Sequence, residues 1–227
     1  MPVEGHGRVS APPPRPADFR PVRKRLSSTQ RRASILAVAK RLFADKGFHG
    51  VSVHEIVAQL GVSPAVLYQH FPSKEALYEA VLSAIACTRE DYIEVALEGP
   101  TDFAAVLERI TRIYATSVAR DPDYLRMEMH SVLEGNAATQ QFFENRWKTF
   151  TDYIEYGLQE LAREGRIDPV DGKAASLMFQ GMIREALYAK CIYRSEHYRD
   201  IEVAALIQPL IGLFLRAVGY RGGAIAE

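Results

Sequence analysis

The side chains between positions 64 and 74 are suited to contacting the bases and phosphates of DNA. The amide of Gln69 carries both a donor and an acceptor, a pair that matches the major-groove edge of adenine. Ala65 and Val66 are apolar and could only press on the methyl group of thymine. Lys74 stands at a predicted helix start, where the helix dipole favours anions, so a phosphate partner would explain its position. These residue types predict a nucleic-acid-binding surface with few groups that can hydrogen-bond to base edges.

Two short helices joined by a glycine turn are predicted to position these side chains. Ser52 and Glu55 have the spacing of a capping box, which satisfies free N–H groups at a helix start. Gly61 falls where that helix must end, because glycine tolerates the left-handed conformation of a C-terminal cap. Ser63 and Pro64 give a second start signal, an N-cap oxygen followed by a proline. The arrangement predicts a helix-turn-helix, in which the second helix enters the major groove.

The second helix is predicted to span residues 64–70, to be stopped by Pro72, and to be followed by a helix that Ser73 caps. Leu67 and Phe71 are apolar and four residues apart, so we expect them to face the domain core together. For Tyr68, a ring packed on the domain edge is the alternative to a DNA contact; for His70, it is a partly buried, hydrogen-bonded imidazole. The side chains turned outward are then Pro64, Ala65, Val66, Tyr68 and Gln69.

The order and spacing of residues 43–48, 52–63 and 67–77 resemble the N-terminal domain of TetR-family transcriptional regulators. The resemblance covers roughly residues 29–78. It implies that Tyr68, His70 and Lys74 hold backbone phosphates, with Ser52 and His54 approaching from the preceding helix. Such contacts position a protein on DNA without specifying sequence. The family often has glycine and a small hydroxyl residue where this chain has Ala65 and Val66, so the base preference should be its own. The predicted DNA-binding residues are Ser52, His54, Ser63, Pro64, Ala65, Val66, Tyr68, Gln69, His70 and Lys74.

The distribution of charge agrees with a DNA-binding amino-terminal part. The net charge is zero, yet residues 1–76 carry 12 Lys/Arg against 5 Asp/Glu, and residues 77–227 carry 16 against 23. A basic region suits a polyanion. Residues 1–25 are rich in proline and arginine and are predicted to form a disordered arm, which either enters a minor groove or only adds nonspecific attraction. Arg31 and Arg32, just after it, could reach phosphate. We therefore divide the chain into the arm 1–25, a DNA-binding domain 26–77 and a helical effector-binding and dimerisation domain 78–227.

Helical patterns account for the rest of the chain. No segment alternates between apolar and polar residues for long enough to make a sheet, so the predicted fold class is all-α: a three-helix DNA-binding domain followed by a larger helical bundle. Thr101 and Asp121 are the predicted caps of two helices in the larger domain. Outside the helix-turn-helix, the predicted helices span residues 29–46, 73–97, 102–120, 123–133, 139–163, 173–193 and 201–218.

The sequence contains no pattern typical of catalysis or of cofactor binding. There is no glycine-rich phosphate loop, no nucleophile elbow and no histidine pair at metal-binding spacing. Cys87 and Cys191 are predicted to be reduced and buried. No apolar run approaches the ~20 residues that cross a bilayer, and no signal-peptide core follows the first residues. We therefore expect a soluble, cytoplasmic protein that is not an enzyme and that needs no metal or cofactor.

Aromatic, methionine and a few polar side chains in the larger domain predict a cavity for an effector. In proteins similar to this one, the segments that carry them surround such a cavity, and adaptable methionines and flat aromatic rings suit an apolar guest. For each residue alone, ordinary packing in the core of a bundle is the alternative. The preferred polar anchors are His130, Trp147 and Arg184. The predicted effector-binding residues are Tyr114, Met127, His130, Phe143, Trp147, Phe150, Met178, Phe179, Met182 and Arg184.

The last two helices are the predicted dimer surface. The final helix is apolar almost all round, so it must be covered on more than one side. Two copies of both helices would form a four-helix bundle across a two-fold axis, unless one monomer buries them by itself. A dimer would place paired recognition helices about 34 Å apart on a pseudo-palindromic operator in double-stranded DNA.

These features predict a homodimeric repressor that a small lipophilic ligand releases from its operator. Repression and release are what the family resemblance implies, since the residues themselves do not give the sign of regulation. The ligand must prefer the state that does not bind DNA, because equal affinity for both states shifts nothing. An activator, or a regulator controlled by a protein partner, is the first alternative. A helical enzyme or ligand carrier that kept the DNA-binding fold is the second.

Overall fold

The chain is helical throughout the part that the structure describes. The computed structural model describes residues 26–97, 102–135 and 137–221. The predicted arm and the predicted cap at Thr101 lie outside these residues. Within them, helices are joined by turns and bends without any strand, which confirms the all-α fold class.

The helices have nearly the predicted bounds. Two ends differ: the third helix is shorter than predicted, and the eighth gives way to a π-helical turn at Tyr188–Ile192. A 3-10 turn at Glu196–Tyr198 then leads into the last helix. The α-helices of the described residues are α1 (Ser28–Lys46), α2 (Val53–Leu60), α3 (Pro64–Tyr68), α4 (Lys74–Leu97), α5 (Phe103–Arg120), α6 (Asp123–Leu133), α7 (Ala137–Arg163), α8 (Gly172–Leu187) and α9 (Val203–Ala217).

Local capping sets the positions of α2 and α3, although not entirely as predicted. The Ser52 hydroxyl accepts from the N–H of Glu55 at 3.1 Å, but the second half of the predicted capping box is missing because the Glu55 carboxylate pairs with Lys46. Gly61 adopts the predicted left-handed conformation, with φ 62° and ψ 40°. The Ser63 side chain does not cap α3, because the N–H of Val66 donates to the backbone carbonyl of Ser63 at 3.1 Å.

The predicted caps of α5 and α6 are also corrected. Asp102 caps α5, since its Oδ1 accepts from the N–H of Ala104 at 3.1 Å. Pro122, whose ring has no capping group, stands at the N-cap position of α6. The carboxylate of Asp121 instead pairs with Lys40 of α1. Asp121, which the sequence suggested as a helix cap, therefore forms an ion pair with another helix instead.

A small core formed by α1, α2 and α3 holds the helix-turn-helix together. Ile35 and Phe43 of α1, Ile56 of α2 and Leu67 of α3 are completely buried, and Phe71 is 3% exposed. Leu67 and Phe71 therefore face the core together, as predicted. Burying one such side chain contributes about 1.5–3 kcal/mol. Because a five-residue helix is not stable alone, this packing rather than helix propensity keeps α3 in place.

The larger bundle continues the same hydrophobic core. α7 packs against α8, and α9 packs against both α5 and α8. Phe179 of α8 and Phe214 of α9 are fully buried, and their ring centroids are 4.9 Å apart. On the outer side of the same two helices, Leu177 and Leu213 remain exposed. The last two helices therefore bury one face within the monomer and leave the other uncovered.

Polar contacts connect α6, and the residues just before α6, to α1 and to the loop between α1 and α2. Burial and the negative charge of Glu134 raise the pKa of Tyr78 of α4 to about 12. We call the three polar contacts the α1–α6 attachment: Lys40 with Asp121, Arg126 NH1 with Asp45 Oδ1 at 3.1 Å, and the backbone N–H of His49 with Glu134 Oε1 at 3.1 Å.

Replacing Gly47 by alanine should destabilise the fold through this attachment. Gly47 has φ 73° and ψ 177°, and a β-carbon there would lie 2.2 Å from Oε1 of Glu134 and 2.9 Å from Nδ1 of His130. We expect G47A to lower the free energy of unfolding by about 1–3 kcal/mol from backbone strain alone, because glycine is almost the only residue found in that region. Displacing Glu134 would also remove its hydrogen bond to His49, which contributes about 1 kcal/mol.

Urea denaturation would measure the change, with G135A as the matched control. Gly135 also has a positive φ of 64°, but a β-carbon there would meet nothing within 4 Å. We expect G135A to be the less destabilised variant. Equal midpoints for G47A and G135A would contradict the role assigned to Gly47.

Candidate functional site

The surface formed by α2, the turn and α3 carries most of the predicted DNA-binding side chains. Ala65, Tyr68 and Gln69 are exposed, and Pro64 and Val66 are partly exposed. Half of the Tyr68 surface is open to solvent. The outward direction of these side chains follows from the burial of Leu67 and Phe71 on the opposite side of α3 and its following turn.

The residues from the preceding helix lie on the same unit. Ser52 and His54 are exposed, and the Ser52 hydroxyl is already engaged as the cap of α2. Ser63 is exposed, and its hydroxyl does not cap α3, so it is available to a ligand. His70 is partly buried, and its backbone N–H donates to the carbonyl of Leu67 at 2.9 Å. The DNA-binding roles of all these residues remain predictions.

Lys74 has a structural partner that the sequence analysis missed. Its Nζ donates to the carbonyl oxygens of Phe48 at 2.9 Å and Val51 at 3.0 Å. The same nitrogen lies 4.2 Å from the centroid of the Phe48 ring. These contacts explain why a cation stands at the start of α4 without a phosphate partner. The carbonyl oxygens of the α1–α2 loop carry the partial negative charge that the ammonium group binds. A phosphate contact would have to use its remaining N–H donor.

A second cationic side chain, that of Arg32, lies against the helix-turn-helix. The Arg32 guanidinium carbon lies 5.0 Å from the centroid of the Phe71 ring, in cation–π geometry. Arg32 is exposed and belongs to the first turns of α1. The sequence suggested a phosphate contact for this residue, but nothing in the local pattern pointed to the ring of Phe71.

The structure does not bring the ten predicted effector-binding residues into one cavity. Tyr114, Trp147 and Phe150 form an aromatic cluster, with ring centroids 5.1 Å and 5.8 Å from Tyr114 and 5.8 Å between the other two. Arg184 lies over the Trp147 ring at 5.6 Å. His130 is instead beside Gly47, at the α1–α2 loop.

The remaining predicted effector residues have other neighbours. Phe143 is packed against Tyr124 at 5.1 Å, and Met127 is completely buried in the core. Phe179 belongs to the centre of the bundle with Phe214. Met182 is partly buried against the core, whereas Met178 is 40% exposed on the outer side of α8.

A buried carboxylate at the aromatic cluster was missed by the sequence analysis. Glu128 of α6 is 4% exposed. Its oxygens accept from Trp147 Nε1 at 3.2 Å and from the Tyr188 hydroxyl at 3.3 Å, and they lie 3.3 Å from Arg184 NH2. Burial alone would lower the pKa of Arg184, but the Glu128 charge and the Tyr188 hydroxyl raise it. The guanidinium therefore stays charged and fixes the carboxylate.

Two open volumes lie near these residues. A polar groove of about 670 Å³ along α6, α7 and α8 contains Phe143, Trp147 and Arg184 from the predicted effector set, with Glu128 at its wall. A second cleft, of about 790 Å³, lies where α1 meets α4, α5 and the start of α6, and none of the ten predicted residues lines it. Both volumes fall in the range of about 300–1,000 Å³ that small-molecule sites occupy.

Neither a metal site nor a membrane span is found among the described residues. No group of three or more metal-ligating side chains comes together there. No described helix combines the length and the apolar character needed to cross a bilayer.

The fold and the α2–α3 surface define a class of protein, in which an amino-terminal helix-turn-helix unit is built onto a larger helical bundle. Residues 35–81 match the model of the bacterial regulatory proteins of the tetR family. Over these residues, which include α2 and α3, the chain is similar to this family, whose members are transcription regulators and not enzymes.

The similar proteins are named as regulators of transcription, and one of them is named as an activator. The chain is 34% identical over 128 residues to the HTH-type transcriptional activator FasR of Mycolicibacterium smegmatis, a match that covers 56% of this chain and 58% of FasR, less than two thirds of that relative. It is 29% identical to the HTH-type transcriptional regulator UidR of Escherichia coli K12, over 61% of this chain and 69% of UidR. The crystal structure of AibR in complex with isovaleryl coenzyme A and operator DNA has a similar fold, with a TM-score of 0.61 and 24% identity over 81% of this chain and 97% of AibR.

Replacing Lys74 by methionine should destabilise the helix-turn-helix. The substitution keeps the unbranched stem but removes the donors to Phe48 and Val51, and each buried carbonyl left without a partner costs about 1–3 kcal/mol. Thermal unfolding would measure the loss. The control is K148M, because Lys148 forms an exposed pair with Asp152 on α7, and such pairs contribute about 0–1 kcal/mol. If K74M and K148M melted at the same temperature, the bracing role of Lys74 would be wrong.

Proposed function

We propose that this chain is a homodimeric transcriptional regulator that binds double-stranded operator DNA through α3. The observation that carries the proposal is the exposed surface of α3, fixed in direction by the buried Leu67 and Phe71. In a helix-turn-helix, this is the surface that meets base edges in the major groove. The match of residues 35–81 to the tetR family model supports the same assignment.

The side chains of this surface divide into two roles. Gln69 contacts adenine through its amide, while Ala65 and Val66 press on a thymine methyl group. Tyr68 and His70 hold the phosphate backbone, joined by Ser52 and His54 from α2 and by Ser63 and Pro64 at the start of α3. Lys74 contributes mainly by bracing the α1–α2 loop, with one N–H left for a phosphate. With so few base-edge donors, part of the specificity comes from DNA shape and from the second copy of the helix.

The dimer forms through the outer faces of α8 and α9. Leu177 is 72% exposed, Met178 40% and Leu213 50%. Exposed apolar side chains of this size on adjacent helices favour burial against a second copy. A two-fold axis there would place the two α3 helices on successive major-groove faces, about 34 Å apart, which is why the operator should be pseudo-palindromic.

Repression with release by a small lipophilic ligand is the proposed mode of control. The AibR structure contains both an acyl coenzyme A and operator DNA, which supports a ligand-controlled DNA-binding protein of this fold. In this chain, α6 carries Glu128 at the aromatic cluster and Glu134 in the α1–α6 attachment. A ligand that moves α6 would therefore move the helix-turn-helix as well. Activation is the second candidate, because FasR is an activator.

Tyr68→Ala should weaken DNA binding without affecting the fold. Its ring is half exposed and makes no ring contact with another described aromatic residue, so truncation removes little packing. We expect operator affinity to fall about tenfold or more, which corresponds to about 1.4 kcal/mol. The measurement is fluorescence anisotropy, at one fixed salt concentration, on fragments that the wild type selects from a random DNA pool.

The matched control for this variant is Tyr156→Ala. Tyr156 is 65% exposed on α7, remote in sequence from α3 and absent from the predicted DNA surface. It should bind the selected fragments like the wild type. Failure to enrich any sequence from the pool, or unchanged binding by Y68A, would contradict the proposed interface.

The double variant Leu177→Glu/Leu213→Glu should be monomeric. Two buried carboxylates per subunit would face their own copies across the two-fold axis, where unpaired charges are strongly unfavourable. Analytical ultracentrifugation would report the change in mass. Leu133→Glu is the control, since Leu133 is 80% exposed on α6, away from the proposed dimer face. A dimeric double variant would place the subunit interface elsewhere.

A further inference from the structure

The cleft between the helix-turn-helix and the bundle has an apolar floor. It is lined by Leu36 of α1, Val81 and Ile85 of α4, Ile113 of α5 and Tyr124 of α6. Its volume of about 790 Å³ is larger than that of the groove along α6, α7 and α8. The floor therefore offers space for a hydrocarbon chain at the place where the two regions of the protein meet.

One wall of the cleft carries a row of polar side chains on α5. Arg112, Thr116 and Arg120 all line the cleft and are four residues apart, so they project from one side of the helix. Eight residues of α-helix separate the two guanidinium-bearing positions by about 12 Å along the axis. The apolar floor and the cationic wall are thus adjacent.

The arginines of this wall are available to a ligand. Arg120 forms no ion pair with any residue that the structure describes, and Arg112 is 4.0 Å from Glu108 in a pair that is exposed on both sides. Lys40 also lines the cleft, but Asp121 pairs with it. The described lining thus has three cations and one carboxylate, Asp121, which Lys40 neutralises. The net positive charge of the cleft lining therefore comes from Arg112 and Arg120.

We propose that this cleft binds a single-chain amphiphile with an anionic carboxylate or phosphate head group. The chain lies on the floor formed by Leu36, Val81 and Ile113, and the head group is held by Arg112 and Arg120. Guanidinium groups bind both kinds of anion by bidentate hydrogen bonds. A neutral or cationic head group would gain nothing from this wall.

Occupation of the cleft would act on the position of the helix-turn-helix, a consequence that rests on the proposed function. Leu36 and Lys40 belong to α1, whereas Arg112 and Arg120 belong to α5. A ligand between them contacts both regions and favours whichever separation of α1 and α5 fits it best. Because Asp121 lies in the same cleft, the bound chain also adjoins one contact of the α1–α6 attachment.

Isothermal titration calorimetry of the full chain would test the site. The probes are decanoate and decyl phosphate, below their micellar concentrations, with decan-1-ol and decyltrimethylammonium as neutral and cationic comparisons. The variants are Arg112→Gln/Arg120→Gln, which removes the cations, and Ala37→Phe, which fills the cleft from an exposed position on α1. Arg163→Gln is the control, an exposed arginine at the end of α7.

We expect both anions to bind the wild type and R163Q more tightly than either comparison probe. The double arginine variant should bind both anions at least about tenfold more weakly and decan-1-ol unchanged, and A37F should bind none of them. The tighter of the two anions identifies the preferred head group. No binding of either anion, equal affinity for decyltrimethylammonium, or undiminished affinity in the arginine variant or in A37F would overturn the proposal.

DNA binding by the ligand-free protein separates this proposal from the proposed function. If arginine-dependent decanoate binding occurs but no DNA sequence is selected, the site stands and the regulator assignment fails. If DNA is selected but the amphiphiles bind independently of Arg112 and Arg120, the regulator assignment stands and the site fails.

Discussion

The α1–α6 attachment supplies the polar contacts that hold the helix-turn-helix on the bundle, beside the apolar packing of α1 against α4 and α6. It consists of two ion pairs and one hydrogen bond, and the side chains of the pairs are between 26% and 59% exposed. Exposed pairs contribute about 0–1 kcal/mol each, so the whole attachment is worth only a few kcal/mol. Coupling between the sites of an allosteric protein amounts to about 1–3 kcal/mol. The attachment is thus comparable in free energy to such a coupling.

α6 occupies a central place because its side chains contact both the bundle and the helix-turn-helix. Glu128 is buried at the aromatic cluster, where Arg184, Trp147 and Tyr188 satisfy its oxygens. Removing one partner of such a buried pair is far more costly than breaking an exposed one, because it leaves a charge without compensation. Glu128 therefore fixes the middle of α6 to the bundle. The exposed contacts of α6 with α1 are the weaker of the two sets.

The helix-turn-helix could be predicted because its signals are local. Gly61 indicates a left-handed turn, and Pro64 indicates a helix start. Leu67 and Phe71 indicate a shared buried face, and each of these signals depends on only a few neighbouring residues. The partners of Lys74 and Asp121 could not be predicted in this way, since Phe48, Val51 and Lys40 become neighbours only in the tertiary fold. The same limit explains the dispersal of the ten predicted effector residues. Glu128 looks like a surface glutamate in sequence, and the aromatic character of Tyr114 or Phe179 does not say which cavity it lines.

Trp147 is the only tryptophan in the chain, and its indole donates to the Glu128 carboxylate and lies beneath the Arg184 guanidinium. Indole fluorescence responds to the charges and polarity around the ring, so the emission spectrum of the unmodified protein is an optical report from this one location. A molecule that enters the groove along α6, α7 and α8 should shift the spectrum directly. One that binds beside α1 can change it only indirectly, through α5 or α6. The fluorescence of Trp147 can therefore distinguish binding in the groove along α6, α7 and α8 from binding in the cleft beside α1.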